Sequence, residues 1–96
     1  MKTAVIDLYA PESFIKEKIN QLKEESQGSA FRLQFADVPN PEIICEYVIT
    51  PVTANTYSVK CGSISLEEMN ASELAYVIKH ENKAYEELLM EEVPEK

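Results

Sequence analysis

The chain has 96 residues, of which 45% are hydrophobic and 27% are charged, and its formal net charge is −8. A chain of this length and composition is expected to form one compact domain, residues 1–96, with one modest core. No apolar run approaches the roughly 18 residues of a membrane span, and the acidic balance argues against direct binding to nucleic acid or anionic membranes.

The amino-terminal segment is typical of a strand followed by a helix. Residues 4–9 (AVIDLY) form a short β-type run, and Pro11 is well placed at the first turn of a helix. The apolar stripe of that helix consists of Ile15, Ile19 and Leu22, and Gly28 is its expected C-cap. Pro11 also interrupts the apolar region that a signal peptide requires, so we expect a cytoplasmic protein.

Residues 30–37 (AFRLQFAD) predict the second strand through strict alternation. Phe31, Leu33 and Phe35 share one face, and polar side chains occupy the other, so this strand should have one dry and one solvated side. The segment 38–41 (VPNP) contains two prolines and predicts a loop.

Residues 42–64 contain both cysteines and predict an antiparallel hairpin. A five-residue loop, 51–55, would place Cys45 directly opposite Cys61, whereas a three-residue loop, 53–55, keeps the faces but moves the cysteines out of line. We favour the five-residue loop. Either loop puts these residues on one face: Cys45, Tyr47, Ile49, Tyr57, Val59 and Cys61. Both cysteines are expected to be reduced thiols that pack in the core.

The remainder of the chain predicts helix. Ser65–Glu68 and Asn70–Glu73 both have the capping-box pattern, so the first is expected to form a single turn and the second to open a long helix over 71–91. Pro94 ends this helix, and residues 92–96 are expected to fray. Its predicted apolar arc consists of Leu74, Val77, Ile78, Ala84, Tyr85, Leu88 and Leu89.

The element order is β-α-β-β-β-α, which predicts an α+β two-layer sandwich. The first two strands are joined through a helix and should therefore be parallel, with a right-handed crossover, while the following hairpins are antiparallel. We expect a four-stranded mixed sheet in the order 1-2-3-4, with both helices on its dry face.

Few side chains are candidates for chemistry. His80, the single histidine, is predicted to face solvent, away from both cysteines, so neither a Cys–His nucleophile nor a Cys2His zinc site is expected. Glu81 falls within the apolar arc and is expected to be a rim carboxylate or to accept a hydrogen bond from a tyrosine. We therefore predict no catalytic residue, no cofactor and no metal.

The negative charge is concentrated at the carboxyl end, where residues 67–96 carry −6 and residues 1–66 carry −2. This distribution favours a basic protein partner, although solubility alone could also account for it. The partner-binding residues predicted on the last helix are Glu73, Tyr76, His80, Lys83, Glu86, Glu87 and Glu91.

Such a module would act as a stoichiometric inhibitor, an adaptor or an immunity-type factor, with nucleic-acid mimicry as a special case. One alternative is a homo-oligomeric structural component, such as a homodimer, that associates through the open face of the sheet. Another is a thiol- or carboxylate-based enzyme. This alternative is disfavoured because few polar side chains are expected to lie close together.

Overall fold

The computed structural model describes residues 1–37, 42–62 and 64–91, except for the side chains of Ile64, Met90 and Glu91. The predicted loop at 38–41 and the predicted frayed tail at 92–96 lie outside the described residues. The elements are β1 (Lys2–Asp7), α1 (Glu12–Glu25), β2 (Phe31–Ala36), β3 (Ile43–Pro51), β4 (Tyr57–Cys61), β5 (Ile64–Met69) and α2 (Ala71–Glu91).

The strands form one mixed sheet in the order β1-β2-β3-β4-β5. β1 and β2 are parallel, as the intervening helix predicts, and the other neighbours are antiparallel. The α+β class is confirmed. The predicted number of four strands is wrong, because β5 adds a fifth strand at the edge beyond β4.

Both helices pack on the same face of this sheet. α1 contributes Ile15, Ile19 and Leu22 to the core, as its apolar stripe predicts, and α2 contributes Leu74 and Ile78. They cover the inward side chains of the central strands, among which Phe31, Leu33, Phe35, Tyr47 and Ile49 are the largest. Because burial of one large aliphatic or aromatic side chain contributes about 1.5–3 kcal/mol, this layer is the main source of stability.

The segment Ser65–Glu68 is not a helical turn, as its capping-box pattern predicted, but part of β5. The strand follows β4 through a tight connection that begins at Gly62, whose φ of +60° suits a residue without a side chain. Cys61 pairs with Ile64 on either side of this connection. The capping-box pattern was misleading because a serine followed three residues later by a glutamate can occur in an edge strand as well as at the start of a helix.

A β-bulge near the end of β5 explains why the strand lacks strict alternation. Leu66 pairs with Val59 and Met69 pairs with Tyr57, so Glu67 and Glu68 together oppose a single residue of β4. Glu68 takes up the extra length with a φ of +61°. The bulge returns Met69 to the inward face, where it packs against the core.

The β3–β4 hairpin uses the three-residue loop, so the favoured five-residue loop is wrong. Ile49 pairs with Val59, and Thr50 pairs with Ser58, which shifts β4 by two residues from the favoured register. The Thr53 side chain holds the loop, because its Oγ1 accepts hydrogen bonds from the backbone N–H of Asn55 (3.2 Å) and of Thr56 (3.1 Å).

The predicted dry face of this hairpin is confirmed, because a shift of two residues preserves the faces. Five of its six residues are buried and Cys61 is half-buried. Extended by one residue, the observed register places Cys61 opposite Tyr47, so Cys45 is its diagonal neighbour. Diagonal Cα atoms are about 7–8 Å apart, which is longer than a disulfide usually spans, and both cysteines are free thiols.

The end of α1 differs from prediction by one residue. The first residue in the left-handed region is Gln27, with a φ of +55°, and Gly28 follows with +83°. The N–H of Gln27 donates to the carbonyl of Glu24 (3.1 Å) and that of Gly28 to the carbonyl of Lys23 (3.2 Å), which is a Schellman motif. Gly28 thus lies two residues after the C-cap Ser26 and completes the capping motif from there.

Candidate functional site

The start of α2 is fixed by a reciprocal capping box, as predicted. The backbone N–H of Asn70 donates to Oε1 of Glu73 (2.9 Å), and the N–H of Glu73 donates to Oδ1 of Asn70 (2.8 Å). Such caps contribute about 1 kcal/mol to helix stability. Glu73 therefore has a structural role besides any role in binding.

The buried face of α2 is centred on Ile78 and Asn82, which are both inaccessible to solvent. Leu74 and Ala75 are buried on the same face, and Tyr85 and Leu89 are half-buried. The predicted arc is wrong at Ala84 and Leu88, which are both exposed. At 100° per residue Leu88 lies about 100° from the centre of a face that is centred on Ile78 and Asn82, and Ala84 lies about 140° from it, on the outward side of the helix.

The side of α2 that points away from the sheet carries five of the seven predicted partner-binding residues. Tyr76 is 61% exposed, and its ring stacks on that of His80 with a centroid distance of 6.3 Å and an interplanar angle of 16°. We call this surface the outward face; its residues are all exposed and comprise Glu73, Tyr76, His80, Lys83 and Glu87.

The structure does not place Glu86 with this group. Glu86 is half-buried, and its Oε2 lies 2.9 Å from Nζ of Lys79, which is also half-buried. Its charge is therefore compensated within the fold, on another flank of α2. Glu91 belongs to α2, but its side chain is not among those described.

A groove that the sequence did not predict lies between β5 and α2. Its volume is about 490 Å³, and it is lined by Glu68, Met69, Ser72, Glu73, Tyr76 and Val77. We call it the acidic groove, because two carboxylates and no cationic side chain line it. The sequence did not predict this groove, because the groove depends on β5 and the capping-box pattern indicated a helical turn in place of that strand. The inward-facing Leu66 and Met69 were the available signal for that strand.

A buried polar cluster of Cys45, Tyr47 and Asn82 lies beneath α2. The Tyr47 hydroxyl donates to Oδ1 of Asn82 (3.1 Å), and the Cys45 thiol lies 3.5 Å from the same oxygen. Nδ2 of Asn82 is buried and has no hydrogen-bond partner among the described residues. Sequence reasoning missed Asn82 because it is polar, although its spacing of four from Ile78 and eight from Leu74 places it at the centre of the arc.

Desolvation sets the protonation of this cluster. Burial raises the pKa of the Cys45 thiol to about 12. Burial also raises the pKa of the Tyr47 hydroxyl, with smaller contributions from the neighbouring Cys45, Cys61 and Glu81. Both groups are therefore protonated at neutral pH and can act as hydrogen-bond donors to Asn82.

Cys61 and Glu81 lie at the edge of the core, where they line a cavity of about 40 Å³ together with Tyr47. This space is large enough for about one water molecule. Burial raises the pKa of Cys61, and the negative charges of Glu81 and Glu46 raise it further. A nucleophilic cysteine requires the opposite shift. Glu81 is half-buried, as expected for a rim carboxylate.

The other face of the sheet is not covered by either helix. Glu46 bridges two neighbours there, because its Oε2 lies 3.1 Å from Nε of Arg32 and its Oε1 accepts a hydrogen bond of 3.1 Å from Gln34. Val5 is well exposed and Val48 is half-buried beside these groups. The open face therefore carries both apolar and charged side chains, and the charges of Arg32 and Glu46 are paired with each other.

Two further observations concern the described residues. No three side chains among His, Cys, Asp and Glu in residues 1–37, 42–62 and 64–91 are arranged to hold a metal ion. In the same part of the chain, neither helix is long and apolar enough to cross a membrane.

Comparisons with protein-family models, with curated proteins and with solved structures found no match to this chain. Its function must therefore be inferred from the surfaces and groups described above.

Proposed function

We propose that this protein is a small binding module that engages a basic protein partner through the outward face of α2, as a stoichiometric inhibitor, adaptor or immunity-type factor. The observation that carries this proposal is the exposed Tyr76–His80 stack, at the end of the chain that holds most of the net negative charge. No described element of the fold covers this stack.

Tyr76 has the properties of an interface anchor. Tyrosine is enriched among residues that dominate binding energy, because its large ring buries apolar area while its hydroxyl retains a hydrogen bond. The His80 ring lies nearly parallel to that of Tyr76, and a ring that already has one neighbour loses less side-chain entropy when a partner docks. An exposed aromatic ring with one neighbouring ring is therefore available on this face.

The surrounding carboxylates suit a basic partner. Glu73 and Glu87 flank the stack on the outward face, and Glu67 and Glu68 are exposed on the adjacent strand β5. Complementary charge accelerates association and selects against acidic proteins. Where the basic surface of the partner normally holds nucleic acid, the same carboxylates would compete with its phosphates.

The alternatives receive less support from the same structure. Two copies of a chain with a net charge of −8 repel each other, and Arg32 and Glu46 on the open face already pair with each other within one copy. The raised pKa values of Cys45 and Cys61 disfavour a thiolate enzyme.

Affinity capture from a lysate of the source cells tests the proposal when it is done with matched baits. Tyr76→Ala removes the proposed anchor, and Phe14→Ala removes another exposed aromatic ring, on α1. We expect the same basic protein on the wild-type and Phe14→Ala baits. We expect its loss from Tyr76→Ala, and its release at about 1 M salt, where the screening length is about 3 Å. Capture that depends on neither Tyr76 nor salt would contradict the proposal.

A further inference from the structure

The acidic groove adjoins the outward face, because Glu73 and Tyr76 belong to both. We propose that this groove holds an arginine side chain of the partner. This inference rests on the proposed function and specifies the chemistry that the module recognises.

The shape of the groove suits a long side chain with a charged end. Met69 and Val77 provide apolar surface, against which the methylene stem of an arginine can pack. Tyr76 provides an aromatic face, and Glu68 and Glu73 provide carboxylates. A surface groove with these components can pack against the stem while it pairs the charged end.

Both carboxylates are able to accept new hydrogen bonds. Only Oε1 of Glu73 is engaged by the backbone of Asn70, so Oε2 remains for an incoming donor. The described residues offer no ion-pair partner to Glu68, which is exposed. An arriving cation would therefore not have to displace an internal one, in contrast to Glu86, which already pairs with Lys79.

Arginine fits this combination better than lysine does. Its planar guanidinium can stack on the Tyr76 ring and at the same time donate to carboxylates on two sides. It is also less strongly hydrated than the lysine ammonium group, so less hydration is lost on an apolar floor. The groove should therefore discriminate between two cations of the same charge.

Two synthetic peptides provide the probe: one with three arginines spaced by glycine and serine, and one with three lysines in the same places. Each is titrated into isotope-labelled protein and followed by the methyl and amide resonances. We expect the arginine peptide to shift the methyl signals of Met69 and Val77, and to bind at least threefold more tightly than the lysine peptide.

Variants in which a glutamate is replaced by glutamine test where the arginine peptide binds. Glu68→Gln should weaken binding of the arginine peptide about three- to fivefold, the range of an exposed charge pair. Glu17→Gln removes the same charge from an exposed position on α1 and should leave the preference for arginine unchanged. Folding of each variant is checked by its amide spectrum before titration.

The outcomes separate this inference from the proposed function. Equal binding of the two peptides, or shifts at His80 and Glu87 without shifts at Met69 and Val77, would overturn the arginine site while leaving the outward face as the binding surface. Absence of binding by either peptide would also overturn the arginine site. In that case the capture experiment with Tyr76→Ala alone decides the proposed function.

Discussion

Asn82 is a polar residue at the centre of an apolar core, and it has 0% exposure. Its Oδ1 can accept from Tyr47 and Cys45 only when α2 lies in one position over β3, so the amide restricts how the helix packs. The unpartnered Nδ2 reduces the net stability that this arrangement provides. We therefore expect Asn82 to contribute more to the specificity of packing than to the free energy of unfolding.

A double-mutant cycle tests the coupling between Asn82 and Tyr47. Tyr47→Phe should lower the free energy of unfolding by about 1–2 kcal/mol, because Asn82 loses its hydroxyl donor. Asn82→Leu leaves that hydroxyl without an acceptor, whereas the double variant removes both polar partners. The double variant should therefore lose at least about 0.5 kcal/mol less than the two single losses combined, as measured by urea unfolding.

Tyr57→Phe is the matched control for this cycle, because Tyr57 is also buried but its hydroxyl has no hydrogen bond to the described residues. It should change stability by less than Tyr47→Phe does. Strictly additive effects of the Tyr47 and Asn82 substitutions would mean that the hydrogen bond does not contribute to stability.

The buried thiol predicts a loss of stability in alkaline solution. The pKa of Cys45 is raised from its ordinary value of 9.0 to about 12. Above pH 9 the unfolded chain therefore releases this proton while the folded protein retains it. The unfolded state then binds fewer protons, so the free energy of unfolding falls as pH rises, by at most about 1.4 kcal/mol per pH unit for this group.

From pH 9 to 10 an ordinary thiol in the unfolded chain is mostly ionised, whereas an ordinary tyrosine is mostly protonated. Buried and half-buried tyrosines with raised pKa values add to the decline, so the contribution of Cys45 is read from the change in slope that its substitution causes. Cys45→Ala should flatten the decline of the unfolding free energy across this range, and the half-buried Cys61→Ala should flatten it less. The slope is compared rather than the absolute stability, since both substitutions also remove packing. An unchanged slope in Cys45→Ala would show that Cys45 is not desolvated.

At the scale of elements, β5 and the hairpin loop show what the sequence can and cannot specify. Alternation and helical periodicity identified β1 to β4, both helices and the dry face. The hairpin register remained ambiguous, because a slip of two residues keeps every side chain on its own face, and hydrogen bonds of Thr53 decide it. β5 was missed because the bulge at Glu68 breaks alternation and because Ser65–Glu68 resembles a helix start.

The candidate functional site was likewise predictable only in part. The helical period placed Tyr76 and His80 together on the outward face, since they are four residues apart. The same period also places Glu86 four residues after Asn82 and seven after Lys79, on the flank where it pairs with Lys79, so its assignment to the outward face was avoidable. The acidic groove could not be predicted without β5, and Asn82 was overlooked because apolar residues alone were used to define the arc.

The bulge in β5 leads to a prediction with an adjacent control. Glu68 has a φ of +61°, which costs a residue with a side chain about 1 kcal/mol relative to glycine. Glu68→Gly should therefore raise the free energy of unfolding by about 0.5–1 kcal/mol, or at least leave it unchanged. Glu67→Gly, one residue earlier in the strand, should lower it by about 0.5–1 kcal/mol.

Chemical denaturation of the two variants measures this difference. Equal destabilisation by both substitutions would argue against the bulge, because it would show that Glu68 has an ordinary strand conformation.

At the scale of the whole molecule, the fold separates a packing side from the proposed binding side. The two helices and the sheet bury the apolar residues between them, and the open face carries the Arg32–Glu46 pair. The net charge of −6 lies in residues 67–96, which include the end of β5 and all of α2. A basic partner that approaches this molecule is therefore attracted towards the edge formed by these two elements.

The most direct test of this account is the association rate of the captured partner as a function of ionic strength. Glu87→Lys reverses a charge on the outward face, and Glu17→Lys reverses a charge that is also exposed, on α1. We predict that Glu87→Lys slows association several-fold more than Glu17→Lys at low salt, and that the difference disappears as screening increases. Tyr76→Ala should instead accelerate dissociation. Equal association rates for the two charge reversals, at every salt concentration, would contradict binding through the outward face.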